Sequence, residues 1–252
     1  MTVYWYGVMA ALGFFVAYWT ASRRAPLAGI SSECVLDLTP WLIGGAIVGA
    51  RTYYVIAYWQ ESFAGKPITE IFMLRHGGLV WYGGLIGASL ATIIYTRVKG
   101  LALWRVADVM APSIALGHVF GRIGCFLNGC CYGRACSLPW AVHFPPGHET
   151  YGTAVHPVQI YESLLNFGLY ASLAWLFRRR KFDGQIFALY LVGYALVRAF
   201  VEMFRGDYRA AQRYFGGWIP QGQFVSIGIL ALGMFLFWWL GGKLPKTTPS
   251  KA

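Results

Sequence analysis

Charge is scarce in this chain: Asp, Glu, Lys and Arg make up 12% of its 252 residues, and only 10 residues are acidic. A water-soluble domain carries roughly a quarter charged residues, and no polar stretch here is long enough to be one. Internal repeats and low-complexity segments are missing too, so neither a solenoid nor a disordered array is expected. The first segment, Met1 to Ala21, has no charged residue before its end. It lacks the positive leader and small-residue cleavage site of a signal peptide and is expected to remain as a span.

What is abundant is apolar. The chain is 57% hydrophobic, with 31 glycines and 11 tryptophans, as in helices packed through small residues and anchored by interfacial aromatic rings. The net charge of +11 would suit a nucleic-acid footprint if it were clustered. It is instead spread along the chain, and no nucleic-acid partner is expected.

About twenty apolar residues cross a bilayer. Candidate segments centre on Val3–Thr20, Pro40–Tyr58, Leu79–Tyr95, Val106–Phe120, Pro157–Phe177, Gln185–Phe200 and Phe224–Gly241. The fold class expected is an all-α integral membrane protein of about seven transmembrane helices. Basic loops stay cytoplasmic. Arg23 and Arg24, then Arg97, Lys99 and Arg105, then Arg178 to Lys181, then Lys243, Lys246 and Lys251 all fall on one side. The N-terminus is therefore expected outside and the C-terminus in the cytoplasm. Residues 1–244 read as one polytopic membrane domain with short outer loops, and residues 245–252 as a disordered cytoplasmic tail.

Nine basic residues break this pattern: Lys66, Arg75, Arg122, Arg134, Arg205, Arg209 and Arg213 on the other face, with Arg51 and Arg198 in or near spans. Set beside glycine-rich turns, they suggest an anion site near the outer leaflet, or else snorkelling to lipid headgroups. Ionisable groups within spans need partners or a polar cavity, which singles out Arg51, Asp108, His118, Glu162, Arg198 and Glu202. On the sixth segment Tyr194, Arg198, Glu202 and Arg205 recur at helical intervals and share a face. Their two arginines and one glutamate leave a positive charge for an anionic ligand; an internal ion pair that only fixes packing is the alternative.

Three further clusters stand at segment ends. Arg75-His76-Gly77-Gly78-Leu79-Val80-Trp81-Tyr82-Gly83-Gly84 leads into the third segment. A helix starting there can aim its free N–H groups at a phosphate, although glycine pairs also serve helix packing. Gly121-Arg122-Ile123-Gly124 runs on through Asn128 and Cys130-Cys131 to Gly133 where the fourth segment ends, with His118 and Arg122 on one face. His156-Pro157-Val158-Gln159-Ile160-Tyr161-Glu162 opens the fifth, with proline well placed at a helix start.

Together with Trp5-Tyr6-Gly7, Gly49-Ala50-Arg51 and Arg198-Ala199-Phe200-Val201-Glu202-Met203-Phe204-Arg205, these clusters resemble the prolipoprotein diacylglyceryl transferase family, in order and over nearly the whole chain. The resemblance implies a bacterial inner-membrane enzyme with its site towards the periplasmic leaflet. It would transfer the diacylglyceryl group of phosphatidylglycerol to the lipobox cysteine thiol of a prolipoprotein, forming a thioether and releasing glycerol 1-phosphate. No metal or organic cofactor is implied. Carried over by motif, Arg122 and Arg198 hold the phosphate, with Tyr194 beside it. Tyr6, Arg51, Gly83, Gly84, Asn128, Gly133, Glu202 and Arg205 complete the substrate site. The general base falls on Tyr82 by position, then on His156, with His76 a further candidate.

Cys125 and Cys130 stand where the family pattern has asparagine and glutamate. They belong to a C-x4-C-C-x4-C run through Cys131 and Cys136, open to three readings: a disulfide, structural thiols, or a metal site with His143. Two other functions compete with the transferase reading. One is a diverged homologue acting on another acceptor; the other is a non-enzymatic lipid-binding or transport protein.

Overall fold

The computed structural model describes residues 5–207, 213–214 and 219–242, with the backbone alone at 76, 213, 214 and 219–221. The expected tail at 245–252 and Arg209 lie outside the described residues. Seven α-helices of 18 residues or more are present among them: α1 Trp5–Arg24, α2 Ser32–Ala57, α3 Trp81–Val98, α4 Leu103–Leu127, α5 Val158–Phe177, α6 Gln185–Glu202 and α7 Gln221–Gly241. One helix lies over each expected apolar segment. In an apolar solvent every backbone N–H and C=O must be satisfied within the protein, and long apolar runs do this as helices. Among the described residues, four helical stretches are both long and apolar enough to cross a bilayer, Ser32–Ala57, Leu103–Leu127, Gln185–Glu202 and Gly222–Gly241. Length and composition thus support four spans, where the sequence predicts seven.

The residues outside the helices are not all irregular. β1 (Arg213–Tyr214) pairs antiparallel with β2 (Ile219–Pro220), and isolated bridges join Gly133 to Arg205 and Val155 to both Ala135 and Val142. The α4–α5 connection, residues 128–157, is a folded cap rather than the short loop expected. The Phe144 ring stacks on His148 at 4.3 Å, and Tyr132 meets His148 edge-on at 5.2 Å.

The surface is apolar and several polar groups are inside. Phe14, Phe15, Ile86, Leu90, Leu164 and Trp238 are each more than half exposed, whereas Asp108, Ser113, Gln159, Glu162 and Asn166 are buried to 1% or less. That inversion is what a lipid solvent favours.

The chain forms two compact units, Ser22–Val106 and Met1–Ala21 with Ala107–Ala252. In the first, Ser31 caps α2 by accepting the Glu33 N–H at 3.2 Å. α2 and α3 then meet through glycine. Gly45 and Gly49 lie against Gly83 and Gly87, so a β-carbon at Gly87 would strike the Gly45 carbonyl and come within 2.9 Å of the Gly49 Cα. Small residues four apart on both helices allow this backbone approach.

In the second unit α4 is the spine. Thr20 of α1 meets Ser113 at 2.9 Å. Near the start of α4 the buried Asp108 accepts the N–H groups of Gly184 at 2.8 Å and Phe187 at 2.9 Å. These belong to the first turn of α6, whose orphan donors a carboxylate satisfies well. Asp108 is therefore a helix cap, with Arg180 4.0 Å away.

Glycine packing in the first unit yields an expected outcome. Gly87→Val should lower thermal stability by about 1–3 kcal/mol through overpacking. Gly168→Ala, where nothing lies within 4 Å of the new β-carbon, should be neutral or slightly stabilising. Thermal unfolding of both detergent-solubilised variants checks this; equal melting temperatures would contradict the packing assigned to Gly87.

Candidate active site

One carboxylate organises the second unit. Glu162, in the first turns of α5 and with its side chain 2% exposed, lies 3.0 Å from Arg122 Nε, 3.1 Å from His118 Nε2 and 3.6 Å from Arg198 Nη1. His118 and Arg122 are one turn apart on α4, and their side-chain nitrogens approach to 3.3 Å. Arg198 comes from α6 and also pairs with Glu202 at 2.8 Å, one turn further on. A buried carboxylate is costly unless paired and hydrogen-bonded, so it draws these groups from two helices to one point. Ser163, beside Glu162, donates to the Val119 carbonyl at 2.7 Å and fixes α5 on α4. Tyr194, one turn before Arg198, lays its ring edge-on to His118 with centroids 5.6 Å apart, and Tyr190 stacks behind it at 6.0 Å.

The two arginines expected to share an anion are thus brought together, each side chain 14% exposed. The charge balance differs from the expectation. Arg205 is held by Asp207 through paired bonds of 2.9 Å and 2.7 Å, so the α6 face carries no surplus cation of the kind its sequence suggests. Asp207 lies two residues beyond the helical pattern and was invisible to it.

Loops from three places meet next to this cluster. The Gly133 N–H donates to the His156 carbonyl, that of His156 to Arg134, that of Arg134 to Phe204, and that of Gly206 to Tyr132. Gly133 has no room for a side chain, since a β-carbon there would lie 2.5 Å from His156 Cβ. His156 is oriented by the Tyr161 hydroxyl at 3.3 Å and by the Phe204 ring at 5.3 Å. The Tyr161 hydroxyl in turn accepts from Trp140 at 2.7 Å.

The cysteines divide. The sulfurs of Cys125, Cys130 and Cys131 lie within 4.8 Å of one another, while Cys136 and His143 do not join them. All five cysteines are free thiols. Cys131 is held below the usual thiol range, chiefly by its hydrogen bond with Cys125 and then by the charges of Arg205 and Arg122, against the opposing effect of burial. Asn128 is exposed at the end of α4. Tyr6 of α1 packs its ring over Gly124, where a β-carbon would lie 3.2 Å away.

Four expected site residues belong to the other unit. Arg51, 8% exposed, donates to the carbonyls of Glu70 and Ile71 at 2.7 Å, Gly77 at 2.7 Å, Gly78 at 3.2 Å and Met73 at 3.4 Å. Its guanidinium also lies 5.6 Å from the Tyr54 ring centroid and 5.4 Å from that of Phe63. It pins the α2–α3 connection instead of facing open space. Tyr82 opens α3, 39% exposed, with Trp81 edge-on at 5.4 Å. Gly83 and Gly84 pack on α2 near Gly49 and Ala46. The His76 side chain is outside the described residues.

The sequence marks Glu162 and His118 as ionisable groups within spans, Glu162 closing the His156–Glu162 cluster and His118 sharing a face with Arg122, but it assigns neither to the site. The shared face of His118 and Arg122 is legible in the sequence; what it does not show is that Glu162, opening the next segment, is the counter-charge that face receives.

The chain matches the model of the family described as prolipoprotein diacylglyceryl transferase over residues 1–239. A phosphatidylglycerol–prolipoprotein diacylglyceryl transferase of Finegoldia magna is 38% identical over 93% of this chain and 90% of its own length. Proteins of the same name from Thermosynechococcus vestitus and Geobacillus kaustophilus are each 35% identical, covering 97% and 94% of this chain and 92% and 88% of their own lengths. Agreement over nearly the full length of both partners leaves one conclusion: this chain belongs to the prolipoprotein diacylglyceryl transferase family.

Proposed function

We propose that this protein transfers the diacylglyceryl group of phosphatidylglycerol to the lipobox cysteine thiol of a prolipoprotein. The observation that carries the reading is the convergence of Arg122 and Arg198 on Glu162 in a chain whose curated relatives bear this activity in their names. In the reaction a thiolate attacks the terminal glyceryl carbon of the lipid. A C–S bond forms, the C–O bond to phosphate breaks, and glycerol 1-phosphate leaves with one more negative charge than the phosphodiester had.

Two guanidinium groups preset around a buried carboxylate answer that developing charge, and such preorganised electrostatics is usually the largest catalytic contribution. Glu162 and Glu202 keep the arginines from repelling one another before substrate arrives. Tyr194 borders the phosphate, with Gly133, Asn128, Tyr6 and Arg205 contributing to the substrate site; the family motif assigns Gly83 and Gly84 to it as well, and Arg51 through the α2–α3 connection that it holds. A proton must leave the acceptor thiol, whose ordinary pKa of about 8.5 keeps it mostly protonated near neutrality. Tyr82 is the first base by position in the motif; His156, oriented by Tyr161, is the second.

The setting proposed is a bacterial inner membrane crossed seven times by one domain of residues 1–244. The N-terminus is outside, residues 245–252 are in the cytoplasm, and the site opens towards the periplasmic leaflet. The apolar exposed surface and the one-sided distribution of Lys and Arg support this. Impermeant-reagent labelling of single cysteines introduced at 151 and 250 checks it. Position 151 should label in intact cells and position 250 only after permeabilisation; the reverse pattern would overturn the orientation.

The activity is tested with radiolabelled phosphatidylglycerol and a synthetic lipobox peptide. Label on the peptide is expected. Label only on another acceptor would favour the diverged homologue, and no covalent transfer a lipid-binding protein. Arg122→Ala and Arg198→Ala should each lower the rate by about 100-fold or more while the protein still inserts and accumulates. Lysine at either position should rescue poorly, because it lacks the planar fork. Arg209→Ala is the control. Losses of only a few-fold in both site variants would move the phosphate site elsewhere. Arg51→Ala should behave differently again, lowering thermal stability together with activity because it releases the carbonyls of the α2–α3 connection, each charged hydrogen bond contributing roughly 1.5–3 kcal/mol.

A further inference from the structure

We propose that Cys125, Cys130 and Cys131 form a three-thiolate site for a thiophilic divalent cation, zinc by size and ligand preference, with the fourth coordination position open. The sulfurs already lie within 4.8 Å of one another. Two thiolates on one zinc, each at about 2.3 Å, stand roughly 3.8 Å apart in tetrahedral geometry, so the cluster needs to contract by about 1 Å or less.

The backbone is shaped to bring these three residues together. Cys125 is on the last turns of α4, and the chain turns back immediately after the helix. Asn128 N–H donates to Gly124 at 3.0 Å, Gly129 to Phe126 at 3.1 Å and Cys130 to Cys125 at 3.1 Å. Gly129 adopts φ 72° to make the reversal. Cys131 adopts φ 62° and is the only described non-glycine residue with positive φ. A side chain in the left-handed region is strained, and such residues persist where surrounding contacts over-determine them. Here the buried Gln159 of α5 holds the turn by donating its side-chain N–H to the Cys130 carbonyl at 2.8 Å. Leaving the helical path places the second and third sulfurs beside the first.

The surroundings suit a thiolate-rich ion. All three cysteines are partly shielded and partly open, so water or a soft ligand can reach the fourth position, which in zinc sites with three protein ligands is the one kept open. Three thiolates and a divalent cation sum to one negative charge, and Arg122 stands one turn before Cys125 on α4. Cys136 and His143 stand apart, which separates this cluster from the longer run in the sequence. The site is not needed for the proposed transfer step: Cys125 and Cys130 occupy positions where the family pattern has asparagine and glutamate.

The test uses the reduced full-length protein in detergent, titrated with Zn²⁺ against a chromophoric chelator and with Co²⁺ to read the thiolate charge-transfer band. One equivalent is expected to bind. Cys125→Ser, Cys130→Ser and Cys131→Ser should each weaken binding by more than about 100-fold, beyond the 10–100-fold typical of outer-shell changes. Cys34→Ser and Cys136→Ser should leave it intact. Cys130→His, which keeps a ligand atom, should retain binding with an altered cobalt spectrum, so that loss in the serine variants is not mistaken for misfolding. Cys125→Asn combined with Cys130→Glu should lose the metal yet keep transfer to the lipobox peptide. Absence of stoichiometric binding, serine variants that bind normally, or two of the three thiols found joined as a disulfide in protein isolated without reductant would overturn the proposal.

Discussion

A carboxylate that can be neither solvated nor left alone governs this molecule. Glu162 sits among helices whose outer surfaces are apolar, so its charge is tolerable only while Arg122, Arg198 and His118 surround it. Removing one partner of such a cluster costs about 3–5 kcal/mol, because it strands the remaining charge. The requirement sets the register of three helices: α5 must present its first turns where α4 presents Arg122, and α6 must be turned so that Arg198 faces both acids. The same grouping holds two guanidinium groups in fixed positions, and we propose that these are what meet the charge developing on a departing phosphate. On that proposal, stability and chemistry rest on one set of contacts.

α4 carries a second tie of the same kind. Asp108 caps α6 at Gly184 and Phe187, roughly 21 Å along the helix from Arg122 at about 1.5 Å per residue. α6 is therefore fixed at both ends, by a carboxylate on its first N–H groups and by an arginine pair near its last turn. Two anchors restrict rotation far more than one, so small changes at the Asp108 end should be felt at Arg198. The glycine contact between α2 and α3 in the other unit uses close backbone approach instead of charge.

Much of this was legible in the sequence, for physical reasons. Seven apolar segments announced seven helices because length and hydropathy suffice to say where a chain must satisfy its own backbone. The four-residue spacing of Tyr194, Arg198 and Glu202 put them on one face, and the structure keeps them together. Periodicity could not show which groups from different helices would meet. Glu162 was visible only as an acid in a span, and its centrality depends on α4 and α5 approaching at Val119 and Ser163. Arg205 looked like a surplus cation because its partner, Asp207, lies past the end of the helix. Arg51 looked like an anion ligand, yet its donors go to carbonyls of the α2–α3 connection, contacts made by a loop whose path no spacing rule describes. The turn that returns Cys130 and Cys131 to Cys125 depends on a left-handed cysteine that no residue preference would have suggested.

The central claim is that Glu162 and the arginines act as one unit, and a double-mutant cycle on Glu162→Gln and Arg122→Lys measures it most directly. Transfer rates to a lipobox peptide would be determined for the parent, both single variants and the double, each confirmed to be inserted. Groups in direct contact couple by about 0.5–3 kcal/mol, whereas distant ones add. The double variant is expected to be no more than a few-fold slower than the worse single, because Glu162 has little left to organise once the fork it holds is gone. Losses that multiply in full would show two independent sites and would contradict the account.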